Sequence, residues 1–117
     1  MAATKLRTQQ TKDFGYNNAG NSSTALTIDW STGHTQKVTL TGNCTFTFSN
    51  GIAGEVYILH LFQDGTGSRT VTWPAAVKWA AGTAPTLTTT ASRVDIITFS
   101  FDGTDWFGVV SGQNYTP

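Results

Sequence analysis

GEVYILHLFQDGTGSRTVTWPAAVKW, residues Gly54 to Trp79, carries the clearest pattern in the chain. Val56, Ile58, His60 and Phe62 fall on one side of an extended segment, and Tyr57, Leu59 and Leu61 on the other. A strand apolar on both sides is expected in the interior of a sheet covered on both faces. Asp64-Gly65-Thr66-Gly67-Ser68 supplies residues that tolerate a left-handed backbone, which predicts a tight turn. Arg69 to Trp73 alternates as a returning strand with one wet face. Pro74 has no N–H to give to a ladder, so that strand stops or lies at an edge.

Upstream, Leu26, Ile28 and Trp30 alternate with Thr27 and Asp29, a half-buried strand beginning near Thr24. Gln36 to Leu40 and Cys44 to Phe48 repeat the alternation, separated by turn signals at Ser31-Thr32-Gly33-His34 and Thr41-Gly42-Asn43. Downstream, Val77 to Trp79 is short enough for a minimal strand, and Thr86 to Thr90 reads as weakly extended. Ser92 to Phe101 is a second long apolar strand, Asp102-Gly103-Thr104-Asp105 a hairpin turn, and Trp106 to Val110 the last strand. About eight short strands with turn signals every 8–12 residues predict an all-β fold, an antiparallel β-sandwich or jelly roll, with a small closed barrel as the alternative.

The chain has 117 residues, which suits one domain. Charged residues make up 12%, about half the usual share of ~25%. Thr, Ser, Asn and Gly fill the polar positions, a composition suited to a β surface. The net charge of +0 gives no general attraction to nucleic acid or an anionic membrane. No apolar run approaches the ~18 residues of a helical membrane span, and MAATKLRTQQ has no apolar core of a secretory signal. Synthesis in a cytosol is the expectation. Cys44 is the single cysteine and is expected to be a small core residue.

Lys5, Arg7 and Lys12 stand in the first twelve residues without an acid among them. Residues 1–23 are polar, with Phe14 and Tyr16 as the large aromatics. They are expected to form an extended N-terminal arm that orders on contact, ahead of a sandwich domain at 24–117. Lys5, Arg7, Lys12, Phe14 and Tyr16 are the candidate partner-binding residues of that arm.

Catalytic constellations are weak. Asp64, Asp102 and Asp105 sit in turns, where Asp is favoured for local hydrogen bonds, and Asp29 and Asp95 at polar positions in strands. His60 is expected as a hydrogen-bonded core histidine. Two His and one Cys at these spacings make no zinc site, and DGTGS offers too few carboxylates for calcium and no following helix for phosphate. The expectation is a non-enzymatic protein without cofactor or metal. Trp30 reads as core. Trp73, Trp79 and Trp106 are the candidate interface aromatics, or a platform for glycan.

VTLTGNCTFTFSN and, above all, QDGTGSRTVTWPAAVKWAAGTAPTLT (Gln63 to Thr88) resemble a module that recurs in structural proteins of tailed bacteriophages, frequently at the C-terminal end of tail or fibre chains. The resemblance covers about Thr24 to Val110. It implies a β-sandwich building block of the virion, made in the host bacterial cytoplasm and without catalytic residues. Because the module fills nearly the whole sequence behind a basic-tipped arm, the chain further resembles a head decoration, or cement, protein. That resemblance implies a homotrimer on the capsid surface, binding the major capsid protein lattice. The alternative it leaves is a tail fibre or baseplate component binding host-surface glycan.

Overall fold

The structure is a computed structural model that describes residues 15–117. Its strands are β1 (Tyr16–Asn21), β2 (Ala25–Asp29), β3 (Thr35–Leu40), β4 (Cys44–Ser49), β5 (Val56–Gln63), β6 (Val71–Thr72), β7 (Val77–Trp79), β8 (Val94–Phe101) and β9 (Trp106–Tyr115). Single 3₁₀ turns follow β2 and β7. A six-stranded sheet in the order β1-β3-β5-β8-β9-β7 faces a three-stranded sheet in the order β2-β4-β6. The all-β sandwich expected from the strand pattern is therefore what forms.

The pairing is richer in parallel ladders than the antiparallel sandwich anticipated. Among the described residues only β5–β8 and β8–β9 pair antiparallel. The pairs β1–β3, β3–β5, β2–β4, β4–β6 and β7–β9 are parallel. From β1 to β6 the chain alternates between the sheets, so each sheet receives every second strand running the same way. Gln63 and Val71 belong to different sheets, and Asp64 to Ser68 is a corner passing over the core edge, not the hairpin turn expected there.

The chemistry of that corner explains its path. The Asp64 carboxylate accepts the backbone N–H groups of Thr66 and Gly67, at 3.1 and 3.0 Å. Gly67 has φ +73°, and a Cβ there would lie 2.6 Å from the Thr89 carbonyl oxygen. Only glycine meets both conditions without strain. The true hairpin is the second Asp-Gly-Thr turn, where Asp102 N–H donates to the Asp105 carbonyl at 3.1 Å and β8 runs back as β9.

β1 was not foreseen as a strand. Tyr16–Asn21 pairs in parallel with β3, so the folded body begins ahead of Thr24. YNNAGN has neither β-branched residues nor a clean alternation, and it is held by the edge of β3 rather than by its own propensity. Lys5, Arg7, Lys12 and Phe14 lie outside the described residues.

The core between the sheets is aromatic. Trp30 is fully buried, 5.1 Å ring to ring from Tyr57, 5.4 Å from Phe48 and 5.9 Å from Trp106. Ile28, Val38, Leu40, Phe46, Leu59, Ile97 and Phe99 fill the remaining space, and Cys44 is buried among them as expected. Truncating a ring at the centre of such a packed cluster costs about 3–5 kcal/mol. β5 buries Tyr57, Leu59 and Leu61 on this inner side, while Ile58, His60 and Phe62 face outward, half covered. Among the described residues, no further layer covers that outer side of β5.

Candidate ligand-binding groove

β6 is the edge of the three-stranded sheet, and the irregular segment 83–90 passes alongside it. Between them is a cleft of about 260 Å³ lined by Arg69, Thr70, Val71, Trp73, Ala84, Pro85, Thr86, Leu87 and Thr89. Trp73 forms its aromatic wall. The indole is half-buried and held from behind by Phe46 at 5.6 Å and Trp79 at 5.3 Å, both edge-on.

Both walls are pinned by hydrogen bonds from residues beneath them. On the β6 side, the Gln63 amide receives the Arg69 N–H at 3.0 Å and donates to the Arg69 carbonyl at 2.9 Å. Asn43 Oδ1 accepts the Thr70 N–H at 3.1 Å, and Thr70 O accepts the Cys44 N–H at 2.9 Å. On the loop side, Gln63 Nε2 donates to Thr88 O at 2.9 Å, and buried Asp95 accepts the Thr88 N–H at 2.7 Å. Gln113 Nε2 donates to Thr86 O at 2.7 Å, and Ser68 N–H to Thr89 O at 2.7 Å. An apolar cleft with walls tied at this many points keeps its shape before a ligand arrives.

The charge inside the cleft is already used. Arg69 Nε and Nη2 reach the two Asp64 carboxylate oxygens at 3.3 and 3.0 Å, a forked ion pair. That guanidinium holds the Asp64 carboxyl below the usual carboxylate range. With Arg69 paired and no carboxylate, imidazole or thiol in the lining, the cleft presents an indole, aliphatic surface and threonine hydroxyls. It suits a neutral ligand with one apolar face and several hydroxyls.

The candidate aromatics separate cleanly. Trp73 lines the cleft. Trp79 is half-buried behind it, at 5.9 Å from Phe99, and touches the open backbone of Gly108. Trp106 is 5% exposed and stacks on Phe101 at 4.2 Å, so it is a core residue and not an interface or glycan aromatic. Its place opposite Phe101, just after the hairpin, turns it inward. Tyr16 opens β1, 57% exposed, with its ring edge-on to His60 at 5.9 Å. His60 is a half-exposed outer-face residue instead of a core histidine, and partial burial lowers its pKa. Arg69, Val71, Pro85 and Leu87 were not singled out beforehand. Their signal in the sequence is slight, since the cleft arises from β6 meeting a segment about fifteen residues away whose own pattern is irregular.

Residues 19–106 match the model of a family described as "Putative phage tail fibre C-terminal domain". The chain belongs to that family, and it is a phage virion structural protein. No curated protein matches it. No solved structure matches it either.

Proposed function

We propose that this chain is a tail fibre domain that contacts the host surface, holding a neutral sugar residue of a surface glycan against Trp73 without catalysing a reaction. The pinned cleft beside Trp73 is the observation that carries the glycan contact, and the family description supports the tail. Sugars bind by laying a C–H face on an aromatic ring while their hydroxyls meet polar groups at the rim. Trp73, with Thr70, Thr86 and Thr89 around it, has the composition for that. The decoration role on the major capsid protein draws on Lys5, Arg7, Lys12, Phe14 and Tyr16, and the family description favours the tail over it.

Two measurements test this reading. Immunogold electron microscopy of virions with antibody to this chain is expected to label the tail; label confined to the head would sink the assignment. A glycan array is expected to show binding that Trp73→Ala weakens about tenfold, the scale of one aromatic contact. Trp106→Phe, a core change, serves as the control that leaves binding in place.

A further inference from the structure

Arg69 lines the cleft and is fixed at both ends. Its backbone N–H and carbonyl are held by the Gln63 amide, at 3.0 and 2.9 Å. Its guanidinium is held by Asp64, with Nε 3.3 Å from Oδ1 and Nη2 3.0 Å from Oδ2. That fork uses one edge of the guanidinium. Among the described residues, Nη1 makes no hydrogen bond. Both Nη1 hydrogens and the second Nη2 hydrogen are therefore left over for a ligand. Asp64 is fixed in turn, because its Oδ1 also accepts the Thr66 and Gly67 N–H groups. The pair is partly buried, with 27% of the Arg69 and 19% of the Asp64 side chain exposed. Salt screens such a pair less than one on an open surface.

We propose that the Asp64–Arg69 pair sets the charge specificity of the cleft: Arg69 gives oriented N–H donors to the hydroxyls of a neutral sugar, and Asp64 cancels the charge that would otherwise draw in an acidic one. Given the sugar reading of the Trp73 cleft, on which this rests, the ligand class is neutral hexoses and not uronic acids. A hydroxyl needs a directed donor. A carboxylate needs uncompensated positive charge as well, to offset its loss of water between apolar walls. Paired Arg69 supplies the donor without the net charge. Asp95 adds to the bias. It lies behind the loop wall, 2.7 Å from the Thr88 nitrogen, and puts a second carboxylate near the cleft. Among the described residues that line the cleft, Arg69 is the one cation.

The pair can be split without breaking the corner. In Asp64→Asn the side-chain oxygen still accepts from Thr66 and Gly67, and an NH2 group replaces the oxygen that met Arg69 Nη2. Donor then faces donor, and the guanidinium is released with its charge. Arg69→Met removes the donors and keeps the backbone bonds to Gln63.

The test is an array of matched neutral and acidic glycans, glucosyl beside glucuronosyl and galactosyl beside galacturonosyl. The wild type is expected to bind neutral members and leave the acidic ones at background. Asp64→Asn is expected to raise acidic binding about tenfold or more, the scale of a charge-assisted hydrogen bond, and added salt should reduce that gain. Arg69→Met is expected to weaken neutral binding about fivefold, as for one hydrogen bond, and to gain no acidic binding. Three results would overturn the proposal and leave the Trp73 contact standing. They are a wild-type preference for acidic members, neutral binding unchanged in Arg69→Met, or a folded Asp64→Asn that binds neutral members and gains no acidic ones. Loss of all Trp73-dependent binding on the array would overturn the sugar reading, and this proposal with it.

Discussion

Gln63 binds Arg69 as one strand binds another. Its side-chain amide accepts the Arg69 N–H at 3.0 Å and donates to the Arg69 carbonyl at 2.9 Å, while the same Nε2 reaches Thr88 O at 2.9 Å. A single 5%-exposed side chain thus replaces the ladder that the corner at Asp64–Ser68 interrupts. Gln63→Leu keeps the volume and removes every bond, stranding three backbone groups at the core edge. The expected loss is about 2–4 kcal/mol, on the scale of 1–3 kcal/mol for each buried group left unsatisfied and with partial relief by water. Urea denaturation checks it, and a variant as stable as the wild type would show the clamp to be incidental.

Asp95 ties the other wall. It accepts from Thr88 N–H at 2.7 Å, Gln113 Nε2 at 3.1 Å and Asn114 N–H at 3.0 Å. Asp95→Asn turns one acceptor into a donor facing donors. The expected result is a fall in stability of roughly 1–3 kcal/mol and faster hydrogen exchange at Thr88 than in β5. Unchanged exchange at Thr88 would mean that the groove wall stands without it.

Gly108 sits where the Trp79 ring crosses β9. An added Cβ would meet the ring at less than van der Waals distance. Gly108→Ala should push Trp79 aside and, through the 5.3 Å contact, tilt Trp73. Overpacking of this kind costs typically ~1–3 kcal/mol. Tryptophan fluorescence and the thermal midpoint are the readouts. If both match the wild type, the β7–β9 edge is looser than its packing implies.

Acid should unfold the protein in two stages. Burial lowers the His60 pKa, so the unfolded chain takes up that proton first, and stability begins to fall below about pH 6.5. Asp64 is held low first by its Arg69 hydrogen bond, Asp29 by the Ser31 hydroxyl and then Asn50, and Asp102 by the N–H groups of Asp105 and Thr104. Their folded-state pKa values lie below those of the unfolded chain. Their contribution is fully present above about pH 4 and is lost as pH falls through the lowered values. Denaturant midpoints measured from pH 8 to pH 2 are expected to show this shape. Asp64→Asn should flatten the lower step, and His60→Asn the upper one. A midpoint independent of pH would contradict both assignments.

Strand existence was legible where alternation was strong. Leu26-Ile28-Trp30, Val38-Leu40, Cys44-Phe46-Phe48 and the two long apolar runs all became strands near their expected bounds. Even the three-residue β7 was readable from Val77-Lys78-Trp79. Pairing was not legible, because alternation gives the buried side of a strand but not its neighbour. Asp-Gly-Thr occurs twice, once as a corner between sheets and once as a hairpin, with the same local chemistry. What separates them lies elsewhere: Gln63 and Asp95 hold the first turn's exit to a distant segment, whereas β9 returns beside β8 at once. The groove was half legible. Trp73 stood out as an aromatic beside a proline, but its opposite wall needed the fold. The inward turn of Trp106 depends on the register of β9 on β8, which no local signal records.

The winding of β1 to β6 also sets a timetable for assembly. Tyr16 pairs with Thr35, Thr35 with Ile58, and Cys44 with Val71, so no ladder in that half joins chain neighbours. The β8–β9 hairpin, closing between Phe101 and Trp106, is the nearby pairing available to start from. β5 docks on β8, and the earlier coils can then add outward in reverse order of synthesis, β1 last. Contacts of such long sequence separation make for slow folding. Stopped-flow refolding is therefore expected to slow most for destabilising changes in β8 and β9, with changes in β1 acting almost entirely on the unfolding rate. The opposite distribution would place the nucleus in the parallel coils. A ribosome-bound chain lacking β8 has little on which to build, so the sandwich forms as the synthesis of its last strands ends.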